Sequence, residues 1–334
     1  MPVHTVAFAL ALLAFVVFSA EGYTLGNVPN QTQTGQTGYN RCGTQDSPTS
    51  MCQTAQVNSI IDFCLWAPPA PGSTIGDSEE FEVAWCTAAG HGARLMPPGT
   101  ITGAHFLITP HYIQVTGVGD FTKTNVQSGD EGGELDPHGQ TGLGNPVGSI
   151  VFANGTQVLE WTSFMSDTQF CFRVCPNATD AALWCQHQYD LQGCDWNEPG
   201  SYDAGVFESC HGDGTAYPPG VYEVGGGLST FIQGQGATPA AAPAGASSNC
   251  RTVSTVGVVP TPATSATTPP TPSHPAGVGT AMSSPALSSA TNTTTGAAVS
   301  QTSFDIKHSK ALRNEAGPIA LVFSLVVHIM LGGV

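Results

Sequence analysis

The sequence predicts a mainly β protein: a disulfide-stabilised sandwich or barrel-like domain with one or two short helices, followed by a disordered Ser/Thr/Pro-rich stalk. Three observations predict it. Short alternating or β-branched runs, separated by Gly, Pro, Asn and Asp, fill the middle of the 334-residue chain. Ten cysteines, an even number, are spread from Cys42 to Cys250. Residues 234–303 are rich in Pro, Ala, Ser and Thr with hardly a charge or an aromatic, a composition that cannot form a packed core.

The chain opens on an apolar run from Val6 to Phe18, the length of a signal-peptide core and too short to span a bilayer. Ala20 and Gly22 set small residues before Tyr23, so residues 1–22 read as a signal peptide cut after Gly22, with cleavage after Ala20 as the near alternative. Residues 23–233 are then the Cys-rich, β-rich domain. Its strand-like runs are EFEVAWC, in which Phe81, Val83 and Trp85 share a face, then AHFLIT, HYIQVTGVG, GSIVFAN and TQFCFRVC. Two stretches have helical spacing: residues 50–64, with Val57, Ile60, Ile61 and Cys64, and residues 179–191, capped by Thr179 and stopped by Gly193.

In a secreted chain, Cys42, Cys52, Cys64, Cys86, Cys171, Cys175, Cys185, Cys194, Cys210 and Cys250 form at most five disulfides, whose pairing the spacing leaves open. The gap between Cys86 and Cys171 implies a middle held by burial alone. Zinc asks for paired close cysteines, and Cys171-x-x-x-Cys175 has no second close pair. The sequons at Asn30, Asn154, Asn177 and Asn292 agree with passage through an oxidising, glycosylating compartment.

Residues 234–308 form the stalk, where dense Ser/Thr with Pro is the pattern of O-glycosylation. Residues 309–334 end in an apolar tail with no Lys or Arg after it, the layout of a GPI-attachment signal. Ser309, followed by Lys310 and Ala311, has a suitable polar spacer; Gly296 is smaller and cleaner at the site but leaves the spacer too long.

The formal net charge is −16, and between Tyr23 and Cys250 twenty-one Asp and Glu face only Arg41, Arg94, Lys123 and Arg173. Such a surface repels nucleic acid and anionic lipid and suits an acidic working environment. Chemistry is concentrated in GDEGGELDPHGQTGLGN, residues 129–145. Asp130, Glu131, Glu134 and Asp136 are calcium candidates, though their spacing departs from an EF-hand, and Glu134, Asp136 and His138 are candidate catalytic groups. A solvated Gly-rich loop is the plain alternative. His105, His111, His138, His187 and His211 are scattered with no HExxH, and no G-x-S-x-G elbow, Walker loop or dinucleotide fingerprint occurs. Among the tryptophans, Trp85 reads as core and Trp196, in GCDWNEPG, as the surface candidate for stacking on sugars.

DFCLWAPPAPGSTIGDSEEFEVAWCT, GTITGAHF, TPHYIQVTGVGDFTK, GDEGGELDPHG, EWTSFMSDTQFCFRVC and CQHQYDLQGCDWNEP, in this order, resemble the fungal secreted proteins named macrofage activating glycoprotein. The resemblance spans residues 39 to about 233 and implies an extracellular fungal glycoprotein with a Ser/Thr-rich tail and a GPI-type end. It supplies no catalytic residue. The family's DPHGADGNGNP is DPHGQTGLGNP here, with fewer carboxylates for calcium.

The residues thus point to a non-enzymatic cell-surface or cell-wall glycoprotein with no cofactor. Its expected partners are cell-wall polysaccharide or host surface glycans, and the outer membrane leaflet through a lipid anchor, with no nucleic acid. A carbohydrate-binding module predicts an exposed row of aromatics; a carbohydrate-active hydrolase predicts two convergent carboxylates, first among them Glu134 and Asp136.

Overall fold

The computed structural model describes residues 31, 32, 38, 39 and 41–257. The signal segment 1–22, the sequons at Asn30 and Asn292, the attachment candidates Ser309 and Gly296 and the apolar tail lie outside the described residues.

In chain order the strands are β1 (Thr54–Ser59), β2 (Asp62–Ala67), β3 (Val83–Cys86), β4 (Arg94–Leu95), β5 (Ile101–Ile108), β6 (Ile113–Gly119), β7 (Gly133–Leu135), β8 (Ile150–Ala153), β9 (Thr156–Val158), β10 (Glu160–Met165) and β11 (Gln169–Cys175). Two short helices, α1 (Ala181–Trp184) and α2 (Gly193–Asn197), precede β12 (Phe207–Gly212), β13 (Val221–Val224), β14 (Gly227–Thr230) and β15 (Ser247–Thr252). One sheet runs β4-β3-β2-β1-β8-β9 and the other β15-β12-β5-β6-β11-β10-β7, while β13 and β14 form a separate hairpin. Pairing is antiparallel except at β1/β8, β3/β4 and β5/β12.

A disulfide-bonded β-sandwich results. Phe63 of β2 stacks on Phe170 of β11 at 5.9 Å, and Trp66 of β2 meets Trp161 of β10 and Phe172 of β11 at 5.9 and 6.5 Å. One apolar core takes Ala55, Val57, Phe63 and Leu65 from the first sheet and Phe106, Val115, Trp161, Phe170, Phe172 and Val174 from the second. Burying side chains of this size contributes roughly 1.5–3 kcal/mol each.

All ten cysteines pair: Cys42–Cys52, Cys64–Cys86, Cys171–Cys194, Cys175–Cys185 and Cys210–Cys250. No disulfide links the stretch between Cys86 and Cys171, where β5 is mostly buried, β6 is buried over its centre and β8 is buried throughout. On β11, Phe170, Phe172 and Val174 enter the core, while Cys171 and Cys175 point the other way and staple the α1–α2 segment to the outer face. With both faces covered, β11 is buried from Phe170 onwards and shows no polar alternation.

Several expectations are corrected. Residues 50–64 are not a helix but the β1–β2 hairpin, turning at Ile60-Ile61 with Ser59 opposite Asp62; apolar positions counted across the turn mimicked helical spacing, and Ile61 is 56% exposed. The helix expected over 179–191 shrinks to the four residues of α1, and Gly193 starts α2 rather than stopping its predecessor. Phe81 sits in a 3-10 turn and is exposed, so it does not share the buried face of Val83 and Trp85. The folded part also runs past residue 233: β15 pairs with β12, Cys250 bonds Cys210 across that pair, and Val256 packs in the main core.

Candidate functional site

The strongest gathering of polar side chains lies at the β7 edge of the second sheet, in a cleft of ≈ 440 Å³ lined by Glu79, Glu134, Asp136, His138, Asn145 and His187. Three separate parts of the chain build it. Glu134 stands on β7, and past its end Asp136 and Asn145 exchange two backbone hydrogen bonds of 3.0 and 2.8 Å that close the intervening loop. Asp136 Oδ1 accepts from the backbone N–H of His138 and Gly139 at 2.6 and 2.8 Å, an Asx turn that fixes where the loop leaves the strand. Gly139 has φ +59°, and a Cβ there would lie 2.7 Å from the Gly144 carbonyl carbon, so the loop closes only with glycine.

Glu79 arrives from the 3-10 turn before β3. Its carboxylate lies over Gly133, where a Cβ would come within 2.3 Å of Oε1, and accepts from Asn145 Nδ2 at 3.0 Å. His187 follows Cys185, which is bonded to Cys175 at the end of β11, so this loop is tied to the same sheet. Its ring stacks on His138 at 3.6 Å. Glu160 opens β10, and its Oε2 lies 3.8 Å from His138 Nε2.

The electrostatics follow from burial. The Glu79 carboxyl is pushed up to about 7, first by desolvation and then by the negative charges of Asp136, Asp190 and Glu80. Glu134, 6% exposed, goes well above the ordinary carboxylate range, mainly through burial and then Asp136, with its hydrogen bond from Thr162 Oγ1 opposing. Burial, followed by the neighbouring His138, holds His187 below the usual histidine value. The cleft therefore combines acids kept neutral at mildly acidic pH with an imidazole that resists protonation.

The sequence is 50% identical over 254 residues to the appressorium protein ROW2 of Mycosarcoma maydis, covering 72% of this chain and 86% of that protein. The chain belongs to this family. A second member, the appressorium protein ROW1 of the same fungus, is 50% identical over 248 residues; the chain spans only 55% of its length. No protein-family model matches, and no solved structure does.

On this ROW-family domain, Glu134, Asp136 and His138 do come together, joined by Glu79, Glu160 and His187, which sequence reasoning had not connected with them. The four calcium candidates divide: Glu134 and Asp136 line this cleft, whereas Asp130 and Glu131 border a neighbouring one with Asp167. Asp130 Oδ2 accepts from the Ile75 backbone N–H at 3.0 Å. The expectation for Trp196 is corrected. It is 8% exposed, packs against Tyr189 and Phe231 at 4.8 and 5.7 Å, and donates its indole N–H to the Pro239 carbonyl. Trp66, Trp85, Trp161 and Trp184 are buried too, so none of the five tryptophans presents an open face for sugar stacking.

Of the two described sequons, Asn154 is exposed at the Asn154-Gly155 turn of the β8–β9 hairpin. Asn177 is partly buried, accepting from Leu159 N–H and donating to the Gln157 carbonyl at 3.1 and 2.9 Å.

Proposed function

We propose that this chain is a secreted, lipid-anchored glycoprotein of the fungal surface that works at the appressorium by display and binding rather than by catalysis. The observation that carries this reading is the 50% identity to ROW2 over most of that protein. It is supported by a domain whose ten cysteines all pair, the economy of a protein built for an oxidising exterior. The signal segment and apolar tail supply the entry and exit, and the Ser/Thr/Pro stretch a glycosylated spacer. The resemblance to the macrofage activating glycoproteins belongs to the same proposal.

Its partners are polysaccharides of the cell wall or glycans of a host surface. Because the tryptophans are buried, contact with sugar falls to the polar cleft, where Glu79, Asp136 and Asn145 offer hydrogen bonds to hydroxyl groups. Expression of the full chain in fungal cells, followed by a phosphatidylinositol-specific phospholipase, tests the reading: the protein is released into the medium. Protein already in the medium before treatment, or held until the wall is digested, removes the membrane anchor from the proposal.

One observation favours a second reading. Glu134, neutral through burial, lies beside the charge of Asp136, the protonation pattern of an acid working with a carboxylate on a glycosidic bond. Release of sugar from wall glucan that stops in Glu134→Gln would establish it; no release by the wild type would end it.

A further inference from the structure

We propose that His138, Glu160 and His187 form a binding site for one divalent transition-metal ion of the zinc class. The ligating atoms of these three residues all lie within 4.8 Å of one another, although they come from the loop after β7, the start of β10 and the segment after α1. His138 Nε2, Glu160 Oε2 and His187 Nδ1 are each closed off from solvent, and none finds a hydrogen-bond partner among the described residues. An unsatisfied buried polar atom costs about 1–3 kcal/mol, so three converging on one point need a common partner. All three present electron pairs when the imidazoles are neutral and the carboxyl ionised, and a cation satisfies them together.

Distances agree. His138 Nε2 and Glu160 Oε2, at 3.8 Å, are too far apart for a hydrogen bond. Two ligands each about 2.1 Å from one tetrahedral ion stand roughly 3.4 Å apart, so a small side-chain movement brings both into place. The 3.6 Å stack of His138 on His187 holds the two rings next to each other, and both must tilt out of the stack for their in-plane lone pairs to meet at one ion.

The donor set selects the metal. Two imidazoles and one carboxylate suit zinc, copper or nickel, whereas calcium takes six to eight oxygens. Three protein ligands also leave a fourth position, the arrangement of an open rather than a closed zinc site, and the cleft borders it with Asp136 and Glu79. The support is built before any ion arrives: the Asx turn at Asp136 orients the His138 loop, and the Cys175–Cys185 bond anchors the loop that leads to His187.

A second cluster, His105, Glu208 and Cys210, does not compete. Cys210 is bonded to Cys250, so its sulfur is no thiolate, and His105 Nδ1 already meets Glu208 Oε1 at 2.9 Å.

The test is titration of the tag-free, full-length secreted chain with zinc chloride after chelator dialysis, read by calorimetry and by metal content after gel filtration. About one zinc per chain is expected, with a higher melting temperature in zinc and no comparable shift in calcium. Glu160→Gln keeps the shape of the site and should weaken zinc at least about ten-fold; His138→Ala with His187→Ala should abolish it. Near-UV circular dichroism and the count of alkylation-resistant cysteines verify that each variant is folded. Failure of the wild type to retain zinc, or equal retention by folded Glu160→Gln and by the folded double variant, overturns the site. The surface reading does not depend on either result.

Discussion

The guanidinium of Arg173 lies 4.2 Å over the centre of the Tyr112 ring, on the face of β11 turned away from the core. Gln114 Oε1 accepts from Nε and Nη2 at 2.9 and 2.6 Å, and the Trp184 carbonyl from Nη1 at 3.0 Å. A fully buried cation is thus solvated by an aromatic face and neutral acceptors, and it ties β6, β11 and α1 together.

Arg173→Ala should therefore destabilise the domain by about 3 kcal/mol, since it opens a cavity and leaves Gln114 Oε1 and the Trp184 carbonyl without their donor. Urea unfolding with the disulfides intact measures it. A loss below about 0.5 kcal/mol, the scale of an ordinary surface substitution, contradicts this account of Arg173.

Glu198 gives a pH dependence. Its side chain is fully buried, and burial raises it to about 8 against the opposing charge and backbone N–H of Arg173. Between its ordinary value of 4.5 and about 8, the folded domain holds a proton that the unfolded chain has released. Stability from this group is full at or below about pH 4.5 and falls as pH rises, by up to about 1.4 kcal/mol per unit. Glu82 and Glu134, raised by burial, act in the same direction. Urea midpoints should be higher at pH 5 than at pH 8, and Glu198→Gln should narrow the gap. A midpoint that rises towards pH 8 would contradict the assignment.

Trp196→Ala should cost about 3 kcal/mol and leave glycan retention unchanged, because the indole is packed between Tyr189 and Phe231 rather than offered to solvent. A pull-down on wall glucan beside a melting curve separates the two effects.

Gly103 on β5 marks a close approach of backbone. A Cβ there would stand 2.2 Å from the Asp203 carbonyl oxygen, so residues 201–205 can cross this strand only over glycine. Gly103→Ala should destabilise by about 1–3 kcal/mol by lifting that crossing. Faster proteolysis near Asp203 would report it directly.

Glycan occupancy should differ between the two described sequons. Asn154 has φ +50° in a two-residue turn with its side chain exposed, whereas both polar atoms of Asn177 are engaged. Peptide mass spectrometry after enzymatic deglycosylation in oxygen-18 water should find Asn154 modified and Asn177 largely bare. The reverse pattern refutes the inference.

Much of the fold was legible because strand signals are local. AHFLIT, HYIQVTGVG and TQFCFRVC each became a strand, and an even set of cysteines foretold complete pairing without revealing the pairs. Residues 50–64 misled because strands buried on both faces lose the alternation that distinguishes them from helix. Trp196 misled because its Gly, Asp and Pro neighbours speak of a loop, while its burial comes from Phe231 and Pro239, far along the chain. Glu134, Asp136 and His138 were visible as a dense local cluster. Glu160 and His187 were not, because only the pairing of β7 with β10 and the Cys175–Cys185 bond bring them near, and neither is written at short spacing.

The Cys210–Cys250 bond has a mechanical consequence. The last described strand, β15, lies at the edge of its sheet, and the chain beyond it is the part that would be pulled if the domain were held from its C-terminus. Tension entering there meets a covalent clamp two residues inside the end of the strand, so the chain between the two cysteines, 40 apart in sequence, cannot be paid out as slack while the bond is intact. Held from that end, the domain would keep its shape under drag.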